Sequence, residues 1–153
     1  MNHVGQVGRD VEPGNGPKDD PAFDFAIDVH TTTSNMGVTL ILVGGEEYDL
    51  RLAAFIKSRM PDVRLYYFKD QGGDHPYLTS VTPKRLGLEV GPIPHGLLGH
   101  DVFEQANDAV RLALDYIDRV NAGDEPGHGA EVEVFMHRAT LNYPALRTVV
   151  LAS

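Results

Sequence analysis

Residues 23–43 read Phe-Asp-Phe-Ala-Ile-Asp-Val-His, then Thr-Thr-Thr-Ser-Asn-Met, then Gly-Val-Thr-Leu-Ile-Leu-Val. In the first part Phe23, Phe25, Ile27 and Val29 alternate with Asp24, Ala26, Asp28 and His30. That period of two predicts a strand with one apolar and one polar face. Residues 31–35 are all hydroxyl or amide side chains and predict a loop. Residues 37–43 are apolar or β-branched almost throughout, which predicts a strand buried on both faces.

Working outward, residues 46–60 carry a rough apolar stripe in Leu50, Ala53, Ala54 and Ile56. Acids lead this stretch, Lys57 and Arg59 trail it, and Pro61 follows, as expected for a helix that complements its own dipole and then stops. Residues 63–68 and 86–90 predict two further strands, the second closed by Gly91-Pro92. The strongest helical periodicity runs over residues 101–121, through Phe103, Ala106, Val110, Ala113, Leu114, Ile117 and Val120. Asp101 and Glu104 have the spacing of a capping box, and Gly123 suits a left-handed terminus. Residues 131–135 predict a last strand.

Strands alternating with helices indicate a three-layer α/β/α domain. The expected division is a disordered lead-in at 1–20, an α/β catalytic part at 21–123, and a linker with the start of a small β domain at 124–153. Ligands in such sheets collect at the carboxyl ends of strands, where His30 and Glu89 are placed.

Composition narrows the function classes. The 153 residues hold 13 Lys and Arg against 22 Asp and Glu, a net charge of −9, which argues against nucleic acid and anionic membrane as partners. There is no cysteine, so a metal would have to bind through His and carboxylates. The first ten residues lack a basic region followed by an apolar stretch, and no apolar run is long enough to span a bilayer. A cytoplasmic location is the expectation, and a homo-oligomer is left open.

Two residues carry the chemistry. His30 ends a strand beside a hydroxyl-rich loop, a good position for a metal ligand or a titrating group, and Asp28 lies on the same face where its carboxylate can orient the imidazole. The plainer reading of His30, one hydrogen-bonded loop histidine, is favoured by the residues alone, because a single His does not make a zinc site. Glu89 sits in a short apolar strand between Gly87 and Gly91, where partial desolvation suits it to proton transfer, an edge-strand carboxylate being the alternative.

The segment from Ile27 through Asp28, His30, Asn35 and Met36 to Gly37 closely resembles the third zinc-ligand motif of the aspartoacylase and aminoacylase-3 family, D-[LV]-H-x-T-T-[SA]-N-M-G. A second segment, Gly87-Leu88-Glu89-Val90-Gly91-Pro92 onward to Leu98, resembles that family's G-x-E-V-G-P-x-x-x-G-[VL]-L motif. The stretch Pro76-Tyr77-Leu78-Thr79-Ser80 is similar to the one that carries a substrate-contacting tyrosine. The resemblance runs from about Gly16 to Pro144.

It implies a zinc-carboxypeptidase-like α/β/α domain, a zinc cofactor, and hydrolysis of a small N-acyl amino acid. His30 would be a zinc ligand, Glu89 the catalytic acid/base, Tyr77 a substrate contact, and Asp28 and Asn35 supports of the ligand. The family's G-x-H-G-N-E motif with the first two ligands is not found in the 153 residues, and neither are its N-P-R-A and D-L-N-R arginine motifs. The expectation is therefore a truncated form, inactive or nearly so by itself. Two other readings stand beside it: a non-catalytic module that keeps the fold, and an ester or succinyl-amino-acid hydrolase of the same superfamily.

Overall fold

In the computed structural model the described residues are 23–43, 47–68, 82–126 and 131–138. They form β1 (Phe25–Thr31), β2 (Gly37–Val43), α1 (Glu47–Arg59), β3 (Arg64–Phe68), β4 (Lys84–Gly91), α2 (His100–Asn121) and β5 (Phe135–Met136). The strands make one five-stranded sheet in the order β1-β4-β2-β3-β5. β1 and β4 are parallel, β2 and β4 antiparallel, and β2, β3 and β5 parallel. The fold is the expected α/β class with a mixed sheet.

Alternation sorts the side chains onto two faces. Val38, Leu40 and Leu42 of β2, Leu65 of β3, and Leu86, Leu88 and Val90 of β4 share one face and are buried. Leu52, Ala53, Phe55 and Ile56 of α1 and Ala109, Ala113 and Tyr116 of α2 close the core over them. The Tyr116 ring meets Tyr48 and Phe55 edge-on, with centroids 5.3 and 5.5 Å apart, and so joins the two helices. Both described helices therefore lie on the same side of the sheet. The described residues supply the sheet and one helical layer of the expected three.

The helix ends follow local chemistry, with one correction. α2 starts at His100 with Gly99 as its extended N-cap, and no side chain caps it. Asp101 thus sits inside the first turn, where its charge complements the dipole but makes no capping box. The first intrahelical bond runs from Phe103 N–H to the Gly99 carbonyl at 2.9 Å. At the other end Gly123 adopts φ +90, and the Gly123 and Asp124 N–H groups donate to the Val120 and Arg119 carbonyls. That is the left-handed termination expected from the glycine.

The strand expected over 131–135 is shorter and later. β5 is Phe135–Met136 and pairs with β3 at the far edge of the same sheet. Val132 and Val134 pack against the core ahead of it, so their alternation with Glu131 and Glu133 reflects one-sided burial without a ladder. No helix among the described residues is long and apolar enough to cross a membrane.

Candidate functional site

The sheet face opposite the helices carries the candidate chemistry. In the β1–β4 ladder His30 is paired with Glu89, and Asp28 with Gly87. Paired residues on neighbouring strands direct their side chains to the same face, and the strands are about 4.8 Å apart. The β2–β4 ladder adds Thr39 beside Glu89, and the β2–β3 ladder adds Arg64 beside Thr39. One row thus crosses four strands as His30, Glu89, Thr39 and Arg64.

The histidine is oriented as expected. Its Nε2 lies 2.8 Å from Asp28 Oδ1, with the His30 side chain 60% exposed and Asp28 24% exposed. This pairing follows from the strand, because residues two apart share a face. Nδ1 is the ring nitrogen that this contact does not use. Glu89 is half-buried on the same face, consistent with its place in a short strand flanked by glycines.

The loop after His30 is tied to the segment after Glu89. Thr32 N–H donates to the Val90 carbonyl at 3.0 Å, and Ile93 N–H donates back to the Thr32 carbonyl at 2.8 Å. Ser34 N–H donates to Thr32 Oγ1 at 3.1 Å, and Met36 N–H to the Ser34 carbonyl at 2.8 Å. Gly91 permits this closeness: a Cβ there would meet Thr32 Cγ2 at 2.8 Å and Ser34 O at 3.1 Å. At Gly37 the chain turns into β2 with φ +63, a conformation that favours glycine.

Two further residues hold the row in place, and the sequence reading singles out neither. Arg64 Nη1 donates to the Asn35 carbonyl at 3.0 Å, bracing the loop from the neighbouring strand β3. Thr39 Oγ1 donates to the Met36 carbonyl at 2.9 Å and is buried. A lone arginine at a strand start and a threonine inside an apolar run have no recognisable spacing. Only the sheet order brings them to the loop. Asn35 is exposed and enters the described contacts through its backbone carbonyl. Tyr77 lies outside the described residues.

The described residues do not by themselves fit a zinc ion. No group of three or more His, Asp or Glu side chains among them is arranged to hold a metal. One imidazole backed by one carboxylate is a single corner of a zinc site. A cavity of about 390 Å³ lined by Phe55, Arg59, Arg119 and Asp124 lies on the helical side, at the carboxyl ends of α1 and α2, and shares no residue with the row.

The chain is similar to known proteins of one family. Residues 15–117 match the family model described as the succinylglutamate desuccinylase/aspartoacylase catalytic domain. The chain is 33% identical over 129 residues to a probable aspartoacylase of Trichodesmium erythraeum, covering 84% of this chain and 44% of that protein. It is 36% identical over 138 residues to an N-acyl-aromatic-L-amino acid amidohydrolase (carboxylate-forming) of Xenopus laevis, covering 86% and 44%. The crystal structure of murine aminoacylase 3 superposes with a TM-score of 0.65 at 33% identity, covering 70% of this chain and 36% of that one. The chain spans less than half the length of the curated relatives it matches. Its β1 and β4 motifs, paired in one ladder, lie inside the matched segment, and the chain belongs to the succinylglutamate desuccinylase/aspartoacylase family.

Proposed function

We propose that these residues form part of the active site of a zinc-dependent deacylase that hydrolyses the amide bond of a small N-acyl amino acid. The observation that carries the reading is the pairing of His30 with Glu89 on one exposed sheet face, with Asp28 holding the imidazole. Support comes from relatives named as aspartoacylases and as N-acyl-aromatic-L-amino acid amidohydrolases.

In this reading Glu89 is the acid/base: it takes a proton from the attacking water and returns it to the leaving amine. His30 would supply one ligand to a zinc ion, which would polarise the substrate carbonyl, and Asp28 would orient its imidazole. The remaining ligands lie outside the described residues, and so does Tyr77, proposed to contact the substrate. Arg64 and Thr39 keep the 31–36 loop in register with Glu89.

A second reading, a module that keeps the fold without catalysis, is favoured by the finding that no three His, Asp or Glu side chains among the described residues are grouped to hold a metal. Isothermal titration of zinc into the purified chain, with His30→Ala as control, separates them. Micromolar or tighter binding lost in His30→Ala supports the deacylase reading. Binding that survives His30→Ala removes His30 from the site, and no binding leaves the chain by itself as the non-catalytic module.

A further inference from the structure

The cavity at the carboxyl ends of the two helices gathers charged groups that the row of His30 and Glu89 does not use. Its volume of about 390 Å³ is enough for a small molecule. Phe55 of α1 lies in its wall and is 2% exposed. Two guanidinium groups collect on that ring, with Arg59 Cζ 3.6 Å and Arg119 Cζ 5.8 Å from its centre. The ring attracts both cations through its quadrupole and so keeps the two side chains, from different helices, at one place.

The protein uses only part of each fork. Arg59 Nη1 donates to the Phe55 carbonyl at 3.2 Å and to Ser58 Oγ at 3.1 Å. Arg119 Nε donates to Asp124 Oδ2 at 3.3 Å. Among the described residues, Arg59 Nε and Nη2, both Nη atoms of Arg119, and Asp124 Oδ1 enter no hydrogen bond or ion pair. Charge then selects the kind of ligand. Arg59 and Arg119 are balanced in the lining by Asp124 and Glu125. Both arginines also stand in the last turns of their helices, where the dipoles are negative. A lone anion meets no surplus of positive charge there. A molecule that carries both charges matches the guanidinium forks with one end and the carboxylate with the other.

We propose that this cavity binds a free α-amino acid with an apolar side chain. The carboxylate is received by the Arg59 and Arg119 forks, the ammonium by Asp124 Oδ1, and the side chain by the apolar atoms that Ala54, Phe55 and Pro126 give the wall. A planar fork takes a carboxylate through two parallel N–H donors, which fixes its orientation as well as its charge. The cavity shares no residue with the row of His30 and Glu89, so the proposal stands without the deacylase reading. Under that reading the ligand has the chemistry of the amine that hydrolysis releases.

The test titrates L-phenylalanine into the purified 153-residue chain and follows the backbone amides by NMR. The expected result is saturable shifts at Ala54, Ser58, Arg59 and Asp124, with His30 and Glu89 unmoved. Phenylpropanoate, which lacks the ammonium, and phenylethylamine, which lacks the carboxylate, should each bind about tenfold or more weakly. Arg119→Gln and Asp124→Asn should weaken phenylalanine binding to a similar degree, as should Arg59→Lys, which keeps the charge and loses the fork. The amide spectrum of each free variant checks that it folds. Arg119→Gln and Asp124→Asn change side chains that are 42% and 56% exposed, and they carry the test if Arg59→Lys does not fold. No saturable shift at the cavity, a one-charge analogue that binds as well as phenylalanine, or an affinity indifferent to both Arg119→Gln and Asp124→Asn overturns the proposal. Shifts at His30 and Glu89 in place of the cavity overturn it as well and put the amino acid on the sheet face.

Discussion

His30 and Glu89 are register partners in the parallel β1–β4 ladder, so an imidazole and a carboxylate 59 residues apart in sequence stand side by side on one sheet face. Asp28, two residues before His30, reaches that face as well and holds Nε2 at 2.8 Å.

Asp28→Asn is expected to weaken zinc binding by the site about 10- to 100-fold, as loss of a carboxylate behind a ligating histidine does. The fold should be unaffected, because the amide is the same size as the carboxylate and the His30 it meets is 60% exposed. Isothermal titration of zinc into the purified chain and the variant measures this. An unchanged affinity would remove Asp28 from the ligand's support.

Glu89→Gln is expected to lower hydrolysis of N-acyl aspartate and N-acyl aromatic amino acids by about 10²- to 10⁴-fold, with zinc binding unchanged. The amide keeps the size of the side chain and loses only its ability to accept and return a proton. Initial rates with both substrate classes check it; a rate within tenfold of the parent would exclude Glu89 as the acid/base.

Gly91→Ala is expected to destabilise the chain by about 1–3 kcal/mol, because the new methyl would overlap the Thr32 carbonyl and approach Thr32 Cγ2 at 2.8 Å. The backbone there is pinned from both sides by the Thr32–Val90 and Ile93–Thr32 bonds and has little room to give. Gly96→Ala meets nothing within 4 Å and bears only the strain of φ +79, about 1–2 kcal/mol. Urea unfolding of the pair tests the contrast in mechanism: the Gly91 variant should also lose amide-exchange protection at Thr32 and Ile93, which the Gly96 variant should keep.

Alkaline pH should weaken the join between the helices. Burial chiefly, then the neighbouring Tyr116 and Asp49, raises the Tyr48 phenol from 10.0 to about 12. Burial likewise raises Tyr116. The fold favours the neutral phenols, so their contribution is fully present below pH 10. Between pH 10 and about 12 the unfolded chain ionises first, unfolding releases protons, and stability falls. Thermal melts across that range should show the decline, and Tyr48→Phe should flatten it. An identical slope in Tyr48→Phe would place the titrating group elsewhere.

Much of the fold was legible because its elements declare themselves locally. The alternation of residues 23–30, the apolar run of 37–43 and the stripe of 101–121 each match their observed elements within two residues. The capping box at Asp101 and the strand over 131–135 did not hold. Helix starts and short edge strands depend on what the adjoining segment packs against, and that is tertiary information. His30, Asp28 and Glu89 were legible as types of residue at strand ends. Arg64 and Thr39 were not, since their role comes from facing the 31–36 loop across the sheet.

The sequence by itself determined the strand and helix periods, the left-handed stop at Gly123, and the two motifs that carry the family resemblance, because each is a short-range pattern of side-chain chemistry. The tertiary structure alone decided the order β1-β4-β2-β3-β5, and with it the meeting of His30 with Glu89. Backbone hydrogen bonds between strands are the same for every residue, so pairing is chosen by the burial of whole faces, which no local stretch of residues encodes.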